Sequence, residues 1–272
     1  MAKSRRRKRQ QLTAKNADKH LLYQEAVQDP QQEIRFVSRV FRRLTGRRAL
    51  TFREDFCGTA FSSAAWVQSA RDRTATGIDL DEKVLAWGRE HNVSPLGEAA
   101  DRLTLLRRNV KTVTRKKFDV CVAMNFSYFV FKTRPELVDY FRSVRRSLVR
   151  DGVFFLDIYG GFEAQQVLVD DRRVGRFTYL WDQAKYNPLD GSVVNHIHFE
   201  FRDGSRLDRA FTYDWRLWQP AEVREALLAA GFAGVEFYWE NDDERGEGDG
   251  TFRRRKVVEN IPGWLAFIVA TK

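Results

Sequence analysis

Residues 49–79 constrain this chain more than any other stretch. Ala49, Leu50, Thr51 and Phe52 open a short strand that runs into Glu54-Asp55-Phe56-Cys57-Gly58-Thr59-Ala60. Ala64, Ala65, Trp66, Val67 and Ala70 follow at helical spacing. A second short strand over 74–78 ends in Asp79. Strand, turn of small residues, helix, strand and terminal acid make one βαβ unit of the kind that receives a nucleoside at a sheet's carboxyl edge. The small turn lets backbone N–H groups and a helix N-terminus close on a ligand. The acid is placed to accept both ribose hydroxyls. Only Gly58 answers to a G-x-G-x-x-G pattern, so the close pyrophosphate approach of a dinucleotide is not provided for.

The same alternation continues. Helices are predicted over 20–27 and 31–44, separated by Gln28-Asp29-Pro30, and then over 82–91 and 134–148. Strands are predicted over 103–106, 118–124 and 153–158, the last two near-continuously apolar, as for central parallel strands covered on both faces. This pattern argues for a doubly wound α/β sheet. From Phe177 the texture becomes a β-meander of strands over 177–186, 193–201 and 207–218. A helix over 220–230 and strands over 235–239 and 265–270 follow, with 241–250 as an exposed loop. If Asp203-Gly204 is a two-residue turn, Tyr179, Trp181, Gln183, His196, His198, Arg209, Phe211 and Tyr213 share one face of the meander. That face either lines an acceptor site, with a His as proton acceptor, or packs against the core sheet or a second copy of the chain.

Composition narrows the partners. The net charge of +10 is mostly a tail property: residues 1–20 hold eight Lys/Arg against Asp18, or +7. The tail is read as a solubilising segment; an electrostatic arm for nucleic acid through residues 3–19 is the alternative and is not favoured. The mean hydropathy of −0.51 and strand-length apolar runs argue against membrane spans. Two cysteines in strand positions, Cys57 and Cys121, and no apolar segment after the basic start suit a cytoplasmic protein. The four histidines show no ligand spacing beyond His196-x-His198, so no metal is expected.

In their order, these motifs resemble the class I S-adenosylmethionine-dependent methyltransferases of the small-molecule type. The residues that carry the resemblance are Glu54 to Ala60, GIDLDEKVLAWGRE from Gly77, Arg108-Asn109-Val110, FDVCVAMNFSYF from Phe118, and Asp151-Gly152 before the fifth strand. Phe56 and Ala60 stand where the family has glycines. The resemblance implies a seven-stranded Rossmann-like methyltransferase sheet with an inserted antiparallel meander. Its parts would be a basic disordered tail (1–17), a cofactor-binding core (18–160), a meander lid (161–219) and a helix and strand pair that complete the sheet (220–272). It further implies S-adenosyl-L-methionine as cofactor, with Glu54, the turn Cys57-Gly58-Thr59, Asp79, Leu80, Asn109, Val110 and Asn125 around it. Tyr23, as an aromatic lid, and Arg53, as a partner for the cofactor's carboxylate, are added on chemical grounds. The acceptor would be a small molecule methylated at N or O by in-line displacement, with Tyr128, Tyr159, His196 and His198 as candidate catalytic residues. A motif Asn125-Phe126-Ser127-Tyr128 in place of Asn-Pro-Pro-Tyr argues against nucleobase amines. A nucleic-acid or protein methyltransferase is the alternative.

Overall fold

The computed structural model describes residues 11–242 and 248–272. Two helices lead in, α1 (Lys19–Val27) and α2 (Pro30–Thr45). The start of α2 is set by Asp29, whose side chain accepts the Gln32 N–H, and by Pro30 in the first turn; Gly46, at φ 74°, ends it. Its buried stripe of Ile34, Val37, Val40 and Phe41 packs on the sheet.

The core alternates as the sequence predicts: β1 (Thr51–Asp55), α3 (Phe61–Gln68), β2 (Thr74–Asp79), α4 (Glu82–Gly88), β3 (Leu103–Arg107), β4 (Phe118–Ala123), α5 (Arg134–Ser147) and β5 (Leu148–Gly160). The strands β3-β2-β1-β4-β5 are parallel neighbours. A separate four-stranded antiparallel sheet follows, made of β6 (Leu168–Val174), β7 (Phe177–Tyr186), β8 (Ser192–Phe201) and β9 (Arg206–Arg216). Then α6 (Pro220–Ala229), β10 (Gly234–Asp242), β11 (Gly248–Arg255) and β12 (Trp264–Thr271) return to the first sheet, where β12 runs antiparallel to β5. Helices α2 and α3 cover one face of this sheet through Phe36, Phe41, Trp66 and Val67; α5 and α6 cover the other through Tyr140, Phe141, Val223 and Leu227. Each such buried side chain contributes about 1.5–3 kcal/mol.

The structure differs from the sequence reading in four places. The sheet has eight strands, because β11 pairs with β10. Its run Arg253-Arg254-Arg255 carries no apolar alternation, as suits an edge strand that must repel further pairing. The exposed, charged β6 escapes detection for the same reason. Residues 1–10 of the tail lie outside the described residues, but 11–17 are ordered. Leu12, Ala14 and Ala17 pack on the four-stranded sheet, and the Ala14 N–H donates to Ser205 Oγ.

The fourth difference is register. The β8–β9 turn is not the two-residue Asp-Gly form: Phe201 and Ser205 pair across Arg202-Asp203-Gly204, with Gly204 left-handed at φ 79°. Beyond a bulge, Ile197 faces Phe211 and Asn195 faces Tyr213. A second irregularity between Gln183 and Lys185 sets Trp181 against Ile197. Tyr179, Trp181, Gln183, Phe211 and Tyr213 keep the expected face, and His196 and His198 turn to the reverse one.

Arg53 is a further correction. On β1 the side chains alternate, so Phe52 and Glu54 face α2 and α3 while Arg53 and Asp55 face α5. Arg53 is fully buried. Its Nε donates to Asp55 Oδ1 at 2.7 Å, Nη1 to Ser147 Oγ at 2.8 Å and Nη2 to the Val110 carbonyl at 2.6 Å. The Tyr140 hydroxyl donates to the other Asp55 oxygen at 2.9 Å. Arg53 thus cements β1 to α5 and is not free for a ligand's carboxylate. Arg53→Ala leaves Asp55 buried without its countercharge and is expected to cost about 3–5 kcal/mol. Urea unfolding measures this; a loss near zero contradicts the assignment.

Candidate active site

At the carboxyl edge of β1, β2 and β4 lies a cavity of about 300 Å³. One wall is the turn Glu54 to Thr59 with Asp79 and Val84; a second is Met124, Asn125, Ser127 and Val130 after β4. The roof is α1, through His20 and Tyr23, and the remaining side is Phe211, Tyr213 and Trp215 of β9.

The turn is held from several directions. The Gly58 N–H donates to Asp79 Oδ2 at 2.8 Å, and the Cys57 N–H to the Ile78 carbonyl at 3.0 Å. Asp79 Oδ1 takes the Asp81 N–H. Each carboxylate oxygen keeps acceptor capacity for a diol. Helix α3 begins at Ala60, which has no capping side chain. Glu54 supplies the cap: its Oε2 accepts both the Ser63 N–H at 2.8 Å and the Ser63 hydroxyl at 2.5 Å. Gly88 lets α4 close on the turn, since a Cβ there would stand 2.5 Å from the Thr59 carbonyl oxygen.

Phe56 and Ala60, the two positions where glycines are expected, lie at φ 56° and 58°. The chain therefore adopts the left-handed turn without the residue that adopts it freely. Asn125 and Phe126 are left-handed too, both at φ 57°. Asp157 of β5 holds them, accepting the Asn125 N–H at 2.7 Å and the Phe126 N–H at 2.8 Å.

The electrostatics are one-sided: among the described residues lining the cavity there is no Lys or Arg. Burial pushes the Glu54 carboxyl up to about 7, with Asp79 and Asp55 adding to the rise against the Ser63 hydrogen bonds. Burial also pushes Asp157 up to about 7. His20 is held below its usual value by burial and by Lys19, so it is neutral at pH 7. The Tyr23 and Tyr213 hydroxyls are hydrogen-bonded to each other.

Of the residues named from the sequence, Tyr23, Glu54, Cys57, Gly58, Thr59, Asp79 and Asn125 line the cavity. Leu80, Asn109 and Val110 do not. Leu80 is 62% exposed beside Asp79, Asn109 is exposed with Oδ1 on the Lys111 N–H, and Val110 is buried against the core. The four catalytic candidates are not brought to it either. Tyr128 is wholly buried with its hydroxyl unpartnered, and Tyr159 receives a hydrogen bond from Asn195 behind the β9 wall. On the reverse face His196 meets Thr212, and His198 sits between Asp182 and Asp208. His20 and Trp215 were missed. His20 shares a face of α1 with Tyr23, three residues on, and Trp215 continues the alternation of Phe211 and Tyr213; both signals lie in the sequence.

Residues 55–156 match the family model of the methyltransferase domain. A putative methyltransferase of Bacillus subtilis (strain 168), YqeM, is 25% identical over 182 residues, 65% of this chain and 70% of that protein. DesVI of Streptomyces venezuelae superposes with a TM-score of 0.65 at 20% identity, over 92% of this chain and 95% of that one. The S-adenosylmethionine-bound amino pentose methyltransferase CalS10 of Micromonospora echinaspora gives 0.64 at 15%, over 93% and 95%. Residues 55–156 are thus a methyltransferase domain, and the chain is an S-adenosylmethionine-dependent methyltransferase with S-adenosylmethionine as its cofactor. The site suits that group: a diol acceptor at Asp79, open glycine backbone at Gly58, and the buried Glu54 carboxyl with no Lys or Arg among the lining residues. Among the described residues no helix is long and apolar enough to cross a membrane, and no group of three or more His, Cys, Asp or Glu is placed to hold a metal.

Two outcomes are expected. Asp79→Ala should weaken S-adenosylmethionine by ~1.5–3 kcal/mol, the worth of hydrogen bonds to a charged group; an unchanged affinity by calorimetry overturns the site. A sulfonium and an ammonium entering this cavity lower the Glu54 carboxyl, which burial has raised to about 7. Binding then releases protons near neutral pH and tightens as pH rises through about 7. Heats measured in buffers of different ionisation enthalpy report the release, and proton uptake would contradict it.

Proposed function

We propose that this enzyme methylates a nitrogen or oxygen of a small acceptor that is uncharged or cationic, by in-line displacement. The observation that carries the reading is the acceptor wall: Phe211, Tyr213 and Trp215 face the cofactor turn across a narrow cavity that has acids and no Lys or Arg. An anionic acceptor would meet Glu54 and Asp79 with no Lys or Arg among the lining residues to offset them; an amine or a sugar hydroxyl would not. The amino pentose methyltransferase among the structural neighbours supports the same class of substrate.

The bound cofactor supplies a methyl group already activated on sulfonium. The chain's residues then have three tasks. Asp79 would hold the ribose and Glu54 would face the cationic end. Asn125, whose backbone N–H is held by Asp157, would meet the methionine amine. Tyr23, Tyr213 and Trp215 exclude water and align the acceptor, and alignment supplies most of the rate when the methyl donor is pre-activated. Neutral His20 at the cavity roof is available for the acceptor's proton. The four-stranded sheet serves as the substrate lid.

A panel of amino sugars, simple amines, neutral sugars and sugar phosphates, assayed for S-adenosylhomocysteine formation, tests this. Turnover is expected with amines or hydroxyls and not with the phosphates. Preferential turnover of anionic acceptors, or of RNA or a protein substrate, refutes it.

A further inference from the structure

A second cavity, of about 310 Å³, opens on the α6 side of the large sheet and shares no lining residue with the first. Phe237, Trp239, Trp264 and Pro220 form it, and Arg255, Lys256, Val258, Glu259 and Asn260 rim it. The two indoles stand 4.6 Å apart, tilted by 37°. Trp264 reaches this position because Gly160 has no side chain: a Cβ there would lie 2.3 Å from the indole ring. The loop carrying the rim is pinned where the Phe162 and Glu163 N–H groups donate to the Ile261 and Pro262 carbonyls.

This place has more binding capacity than packing explains. Both tryptophans are only half-buried. Among the described residues neither indole N–H has a hydrogen-bond partner, and the Lys256 ammonium has no ion pair. Among the described residues Arg255 makes a single 3.3 Å contact, to Asn241 Oδ1, and Glu259 is the one acid on the rim. Apolar ring faces, two free N–H donors and two largely unspent cations at one mouth describe a complement to a flat ring bearing an anion. We propose that this cavity is a second small-molecule site, for a planar aromatic anion of the nucleoside monophosphate kind, independent of the methyl-transfer site.

The test uses the full chain saturated with S-adenosylhomocysteine, so that the cofactor cavity is closed to nucleosides. Guanosine 5′-monophosphate is the probe and guanosine its uncharged counterpart. The indole N–H resonances of Trp239 and Trp264, assigned with Trp239→Phe and Trp264→Phe, are expected to shift with the nucleotide. The exposed double substitution Arg255→Gln/Lys256→Gln should weaken the nucleotide about tenfold or more while leaving guanosine and S-adenosylhomocysteine binding unchanged. Silence of both indoles at millimolar nucleotide overturns the proposal. So does binding that the double substitution does not weaken, or that S-adenosylhomocysteine abolishes.

Discussion

The Gly58 amide donating to the Asp79 carboxylate is the bond on which this structure turns. It joins the end of β1 to the end of β2, holding together the two strand ends that a nucleoside must span. It also fixes the turn from which α3 departs. Around it the backbone is strained: Phe56, Ala60, Asn125 and Phe126 are all left-handed without being glycine. For Phe56, Ala60 and Phe126 the cost is on the order of 1–2 kcal/mol each, whereas Asn125 adopts this region more readily. Packing offsets that cost. The Phe56 ring lies 5.7 Å from Tyr140 and 6.0 Å from Phe131, and Ala60 is completely buried. Strain sits on both sides of the cavity, where function constrains the backbone, and the apolar layers around it keep it there.

The acids of the site obey the same economy of means. Glu54 caps a helix that begins without a capping residue, and Asp157 holds a left-handed pair through two backbone amides. Both are raised to about 7 by burial, so between their unfolded values near 4 and neutrality their ionisation disfavours the folded chain. A cationic ligand reverses that. The Glu54 carboxyl, whose burial costs the folded chain, is thus the one that favours a cationic ligand.

Much of this was legible in the sequence, because the βαβ unit is local: its strands, helix, turn and terminal acid lie within about thirty residues and dictate one another. The cofactor half of the cavity, from Glu54 to Asp79 and on to Asn125, follows from it. The acceptor half depends on pairings between distant segments. One unforeseen residue in the turn at Gly204, and another irregularity near Ala184, sent His196 and His198 to the wrong face. Arg53 was misread for a different reason. Alternation on β1 shows that Arg53 and Glu54 oppose each other, but not that Asp55 and α5 wait on Arg53's side. Charged edge strands such as β6 and β11 carry no apolar period to read.

Helix α1 and its cap are fastened to both sides of the cavity. Asp18 takes the Trp87 indole N–H, Lys19 reaches the Ala210 carbonyl, and Gln24 donates to Thr59 Oγ1. It is therefore tied simultaneously to the cofactor half and to β9 of the acceptor half. A displacement of α1 therefore loosens both walls of the cavity at once, the cofactor turn through Thr59 and the four-stranded sheet through Ala210.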